Sequence, residues 1–277
     1  MAMFPPKLKM AIFLHFLFFL SPFAAAELIE CTQCEHKGKV SYISEDSALS
    51  SGACAYGSMA LGFNHGYLAA ASFYADGALC GGCYRMRCKN KRLCKREGTT
   101  VMVTDELTNS SSSKIDFALS RKAYMAMANK GLEKQLLKHR AVDVTFKSYP
   151  CDDFTNKNLS LRVQESSKWP DYLAVKVLYQ GGQTVIRSIN LSAQDDSSDV
   201  IYLRRNHSAV WDTDNVPKGP LKFEFEVIDR RDSSSIYADN VLPVNWKPGV
   251  IYDTGVQVRE YSAEGGCRER DCNLDGW

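Results

Sequence analysis

Eight of the chain's ten cysteines fall between Cys31 and Cys151, and this clustering limits what the chain can fold into more than any other feature. Its meaning depends on the compartment, which the N-terminus supplies. Lys7 and Lys9 precede the apolar run "MAIFLHFLFFL", followed by Pro22 and the small residues Ala24, Ala25 and Ala26. A short basic region, an apolar core and a small-residue exit make a secretory signal peptide. The run is well short of the ~20 residues a spanning helix needs, and no later stretch is apolar enough to span. Residues 1–26 are therefore expected to be a leader cleaved just before Glu27. In a secreted chain the cysteines read as disulfides, "CGGC" (Cys80 to Cys83) included, not as zinc ligands or a redox motif. The staples belong to the first half, with only Cys267 and Cys272 beyond it. No residue pattern calls for a metal or an organic cofactor.

Charge narrows the partners. The 34 basic residues less Lys7 and Lys9 leave 32, against 32 acidic ones, so the mature chain is formally neutral. Residues 27–154 hold 17 basic and 14 acidic groups, and residues 155–277 hold 15 and 18. Neither half has the excess that would point to nucleic acid, and a neutral glycan fits at least as well. Secretion also makes acceptors of the sequons at Asn109, Asn158, Asn190 and Asn206, each only if exposed in the finished fold. Asn109 lies in a polar loop, whereas Asn190 ends an apparent strand.

The first half alternates short strands with glycines. "GTTVMVTD" predicts a strand with Val101 and Val103 on one face and Thr100 and Thr104 on the other. "LSRKAYMAMANKG" predicts a short helix with Ser120 as N-cap and Gly131 as its stop, Met125 and Met127 filling the core. "AVDVTFKSYPC" alternates Val142, Val144 and Phe146 against Asp143, Thr145 and Lys147. After Cys151 the polar "DDFTNKN" reads as a linker. Period-two runs follow: Leu159, Leu161, Val163; Leu173, Val175, Val177, Tyr179; and Leu221, Phe223, Phe225, Val227. Gly181-Gly182 is a hairpin signal. About 250 mature residues suit two domains, and the second half reads as a β-sandwich.

At "SGACAYGS", "DGALCGGCYRMRCKN", "VMVTD", "YLAVKVLYQGG" through "HSAVW", and "PVNWKPG", the chain resembles a plant expansin, most of all the expansin-like A subgroup. The resemblance runs from about Cys34 to about Val258. It implies an all-β fold: a six-stranded double-psi β-barrel with a short helix, related to family 45 endoglucanases, over residues 27–154. An immunoglobulin-like β-sandwich resembling a carbohydrate-binding module follows over 155–262, with a cysteine-containing tail at 263–277. It also implies the disulfides Cys54–Cys80, Cys83–Cys151 and Cys88–Cys94. Cys31, Cys34, Cys267 and Cys272 remain to pair either tail to head or within each couple.

Glycosidases usually need two carboxyl groups, ~5–5.5 Å apart for retention or ~6.5–9.5 Å for inversion. Asp105 matches the family's aspartate on a barrel strand. The second, in a His-Phe-Asp-Leu-Ser motif, aligns with Ala118, and the motif's histidine aligns with Asp116. In a strand Asp116 and position 118 share a face but are displaced by about 6.5 Å. A misplacement of even ~1 Å can cost two orders of magnitude in rate, so Asp116 is not expected to substitute. By resemblance Ser41, Tyr42 and Tyr56 fall near the groove and suit sugar contact better than acid–base chemistry.

In the sandwich, sugar rings would stack on exposed aromatics. Tyr172 matches one such position, His207 stands where the family commonly has a platform tryptophan, and Trp211 and Trp246 are expected in the core. Lys89, Lys91, Arg92, Lys95 and Arg96 surround the Cys88–Cys94 loop, either as a solvated loop or as a contact for acidic pectin. The expected function is that of a secreted, non-hydrolytic cell-wall protein and not an enzyme: a monomer binding cellulose, xyloglucan or pectin through Ser41, Tyr42, Tyr56, Asp105, Asp116, Tyr172 and His207, without metal, nucleic acid or membrane, and loosening non-covalent glycan contacts. The competing expectations are a weak glycosidase or transglycosylase using Asp105 with Asp116, and an apoplastic binding or signalling protein without loosening activity.

Overall fold

In the computed structural model the described residues are 35–258, except 45–48, 74, 109–113, 155, 182–184, 197, 207 and 229–232. The expected leader, Cys31, Cys34, Cys267, Cys272, Asn109 and His207 lie outside the described residues. β-branched and aromatic residues at period two build the first six strands: β1 (His36–Ile43), β2 (Leu68–Ala71), β3 (Cys83–Cys88), β4 (Thr99–Glu106), β5 (Phe117–Ser120) and β6 (Ala141–Ser148). They close into a barrel in the order β1-β5-β2-β4-β3-β6, with β1–β5 and β2–β4 parallel and the other pairs antiparallel. The barrel is filled by Val40, Met86, Val101, Val103, Phe117, Leu119, Val144 and Phe146, all buried.

Helix α1 (Arg121–Ala126) starts where the sequence placed it: Ser120 Oγ accepts from the Ala123 N–H at 3.2 Å, an N-cap. It stops at Ala126, short of Gly131, and α2 (Glu133–Leu136) follows. Tyr124 and Met127 enter the barrel core, whereas Met125 is only half-buried.

Nine further strands make two sheets: β7 (Ser160–Val163), β8 (Leu173–Leu178), β9 (Val185–Ala193), β10 (Ile201–Tyr202), β11 (Arg204–Arg205), β12 (Val210–Thr213), β13 (Leu221–Ile228), β14 (Ser233–Leu242) and β15 (Ile251–Asp253). One sheet runs β10-β9-β13-β14 and the other β11-β12-β8-β7-β15. The period-two residues Leu161, Val175, Phe223 and Phe225 meet between them, with Trp211 and Trp246 buried beside them as expected. The strands on either side of Gly181-Gly182 do not form the expected hairpin, because β8 and β9 belong to different sheets. A two-residue turn can only join neighbours within one sheet.

The segment after Cys151 is more than a linker. Asp152–Phe154 forms a 3-10 turn, and Phe154 is buried edge-on against Phe63 and Tyr179 (6.2 and 5.4 Å between ring centroids). These residues belong to an apolar cluster drawn from both halves, with Leu178 and Ala209 on one side and Leu68, Ala70, Met102 and Ala118 on the other. The disulfides Cys54–Cys80, Cys83–Cys151 and Cys88–Cys94 are all present.

The sequons separate by environment. Asn206 is exposed and Asn158 half-buried, while Asn190 lies within β9, 8% exposed, its amide donating to Glu224 Oε2 at 3.1 Å. A glycan there would displace that bond and block the β9–β13 ladder. In protein expressed through a secretory pathway, glycopeptide mass spectrometry is expected to find Asn206 occupied and Asn190 bare.

Candidate functional site

Cross-strand register brings two of the sequence candidates, Ser41 and Asp105, into one row. Ser41 on β1 pairs with Ala118 on β5, Ala118 with Ala70 on β2, and Ala70 with Asp105 on β4. Asp105 reaches this row through a bulge. Val101 and Val103 face the barrel interior, and strict alternation would send Asp105 inward as well. The register shifts between Ala69↔Val103 and Ala70↔Asp105, leaving Thr104 as the extra residue. The extra residue turns the strand and brings Asp105 out beside Ala70.

The Asp105 carboxylate is half-buried and held by backbone. Oδ1 accepts from the Ala53 N–H at 2.6 Å and from the Glu106 N–H at 2.8 Å. Among the described residues Oδ2 has no partner, so one acceptor remains for a hydroxyl. Glycine at 52 makes this approach possible, since a Cβ there would lie 2.6 Å from the Asp105 Cβ and 2.6 Å from the Thr104 carbonyl oxygen.

Asp116 lies elsewhere. It precedes β5, its Oδ2 accepting from the Lys39 N–H at 2.7 Å, its own N–H donating to the Lys39 carbonyl and its carbonyl accepting from the Ser72 N–H. Gly38 makes room, because a Cβ would fall 2.9 Å from that Oδ2. β1 flanks β5 on the side away from β2 and β4, so the Asp116 carboxylate turns away from Asp105. Two strand spacings and a two-residue offset put their Cα atoms roughly 12 Å apart. Position 118 itself is an alanine, 4% exposed, within the apolar cluster shared by both halves.

The tyrosines are spent on packing. Tyr42 points to the opposite face of β1 from Ser41, 5.0 Å from the Tyr124 ring, its hydroxyl donating to the Leu137 carbonyl at 3.3 Å. Burial, reinforced by Tyr42, pushes the Tyr124 phenol up to about 12. Tyr56 is buried edge-on against Phe63, its hydroxyl lying over Gly81, where a Cβ would come within 2.7 Å.

The outer face of the five-stranded sheet continues from the Asp105 loop. Lys176, 4% exposed, donates to the Ala55 carbonyl, two residues on from the Ala53 N–H that holds Asp105. Desolvation pulls its pKa down, as does Arg162, while Glu165 opposes them. Lys176 stands in a row with Val210, Arg162 and Ile251. Arg162 forks onto Glu165, with one bond at 3.0 Å. Tyr172 stands on the same face, its hydroxyl donating to Asp212 Oδ2 at 3.2 Å, and Arg204 meets Asp212 at 3.3 Å. Burial and then the Asp212 charge raise the Tyr172 phenol's pKa. Among the described residues this face carries the Arg162–Glu165 and Arg204–Asp212 pairs beside Tyr172. Sequence reasoning missed Lys176, whose signal was a lysine set between Val175 and Val177 in an otherwise apolar run.

Two substitutions separate the backbone-holding role of Asp105 from any contact with a ligand. Asp105→Ala strips the Ala53 and Glu106 N–H groups of their acceptor and is expected to cost about 1–3 kcal/mol in urea unfolding. Asp105→Asn, whose amide oxygen still accepts, is expected to cost clearly less.

A family profile described as the Expansin C-terminal domain matches residues 159–243, and one described as Lytic transglycolase, of the double-psi barrel type, matches residues 68–146. Expansin-like A1 of Arabidopsis thaliana is 47% identical over 88% of this chain and 92% of its own length. Expansin-like A3 of the same plant is 49% identical over 85% and 89%. Among solved structures, an expansin from Clavibacter michiganensis, captured as a mutant in complex with cellohexaose, superposes with a TM-score of 0.59 at 18% identity, covering 80% of this chain and 96% of that one. The double-psi barrel followed by the sandwich is thus the fold of this chain, and the chain belongs to the expansin family, alongside its expansin-like A members.

Proposed function

We propose that this is a secreted protein of the plant cell wall, whose first 26 residues are its leader. It lays the row from Ser41 to Asp105, continued by the Lys176–Arg162 face, along wall polysaccharide and loosens non-covalent contacts between glycan chains without cutting them. The observation that carries the reading is the division of labour between the two aspartates. Asp105 keeps one carboxylate oxygen for a sugar hydroxyl within the row, whereas the Asp116 carboxylate is bonded to the β1 backbone on the far side of β5, away from it. Hydrolysis needs a proton donor and a second carboxylate facing one glycosidic bond, and position 118 supplies neither. Hydrogen bonds from a fixed carboxylate to hydroxyls need no such pair. The cellohexaose held by the Clavibacter expansin supports a β-linked glucan as one ligand class.

The test is creep of heat-inactivated wall strips under constant load in an acid bath, with reducing ends counted in the same bath. The purified protein is expected to extend the strips and release no new ends. Replacing Asp105 by Asn, which keeps the loop but removes the charge, is expected to weaken binding to wall material about tenfold, the worth of one charge-assisted hydrogen bond. New reducing ends that disappear in the Asp105→Asn protein would overturn the non-hydrolytic reading. Wall binding without creep would leave a binding or signalling role in its place.

A further inference from the structure

The Cys88–Cys94 loop and α1 are distant in sequence but stitched together in space. The Lys95 N–H donates to the Met127 carbonyl at 2.9 Å, the Asn129 N–H to the Leu93 carbonyl at 2.7 Å, and the Asn129 amide to the Arg92 carbonyl at 3.2 Å. Two basic segments become one surface. Lys95 from the loop and Arg121, Lys122 and Lys130 from the helix region line a single open cavity of about 720 Å³, with Tyr67 in its wall. Against these four cations the lining holds one carboxylate, Glu133, which accepts from the Gly131 N–H at 3.1 Å. Among the described residues Lys95 and Lys130 enter no ion pair.

We propose that this cavity is a second glycan site, and that its ligand is a carboxylated polysaccharide, a polyuronate chain. The inference rests on the reading that wall polysaccharide is the partner, but it uses none of the residues of the Ser41–Asp105 row. The chain is formally neutral once the leader is gone, so a positive field here is local, and a charged cleft concentrates ligands of opposite sign. The cavity is open, as a polymer passing through it requires. Tyr67 puts a ring in the cavity wall, with Lys122 over its face at 5.4 Å, so that the edge of the ring and the cation meet a pyranose side by side. A neutral glucan would use the ring and leave the cations idle, whereas a polyuronate uses both.

The experiment compares three forms of the secreted chain: wild type, Lys95→Glu with Lys130→Glu, and Lys218→Glu with Lys247→Glu. The last makes the same change of net charge at exposed positions of the sandwich. Each is titrated with polygalacturonic acid, with its fully methyl-esterified form and with neutral xyloglucan, at low and high salt. Wild type is expected to bind polygalacturonic acid in a salt-sensitive manner, as exposed charge pairs require, and the esterified form more weakly. The cavity variant is expected to lose about tenfold in that affinity while the sandwich variant keeps it, and all three bind xyloglucan alike. Equal loss in both variants, no loss in the cavity variant, or equal binding of the esterified polymer would each overturn the site. Binding of xyloglucan by a wild type that ignores polygalacturonic acid would overturn this inference alone, and binding of neither would take the parent reading with it. Should the double variant fail to fold, Lys130→Gln at its exposed position carries the same comparison, with a proportionately smaller loss.

Discussion

The Lys176 ammonium is buried on the outer face of a β-sheet and donates to the carbonyl of Ala55. A buried charge without a partner is costly, so this bond fixes where the segment from Gly52 to Tyr56 must lie. The same segment offers the Ala53 N–H to Asp105, is anchored by the Cys54–Cys80 disulfide, and buries Tyr56 against Phe63. Remove the lysine contact and the loop loses its register on the sandwich. Remove the disulfide and it loses its register on the barrel. The position of the Asp105 carboxylate thus follows from a charge on the other half of the molecule.

The fold was largely legible because burial here is written at period two. Leu221, Phe223, Phe225 and Val227 alternate with Lys222, Glu224 and Glu226, and the structure places the first set inside. Ser120 was legible as an N-cap from hydroxyl chemistry alone. The resemblance supplied what periodicity could not: the closure of six strands into a barrel, and the three disulfide pairings. The errors have a common origin. Phe154 sits in a polar string that reads as linker, and Gly181-Gly182 reads as a turn. Phe154 belongs to the contact between the two halves, and Gly181 accepts from the Cys151 N–H at 3.3 Å; a local pattern carries no record of a distant partner.

The site was less legible than the fold. Which face Asp105 takes is decided by a one-residue bulge at Thr104, and nothing in "VMVTDE" marks it, since the same letters in unbroken alternation send the carboxylate inward. Tyr42 and Tyr56 were sugar-contact candidates by resemblance to the family. Their rings went to Tyr124 and Phe63 because an aromatic side chain gains more from a packed neighbour than from water. The absence of the His-Phe-Asp motif, by contrast, was plain from Asp116 and Ala118. The structure adds that Asp116 does other work, as the clasp between β1 and the start of β5.

The apolar cluster common to both halves has a consequence for mechanics. To hinge one half against the other, the chain would have to expose Phe154, Leu178 and Ala118 to water, each square ångström costing about 25 cal/mol. The barrel row and the sandwich face are therefore held at a fixed spacing and angle. A protein built this way does not grip and pull. On the proposed reading it would act as a wedge of constant shape, with any sliding of one polysaccharide past another drawing on the load already carried by the wall.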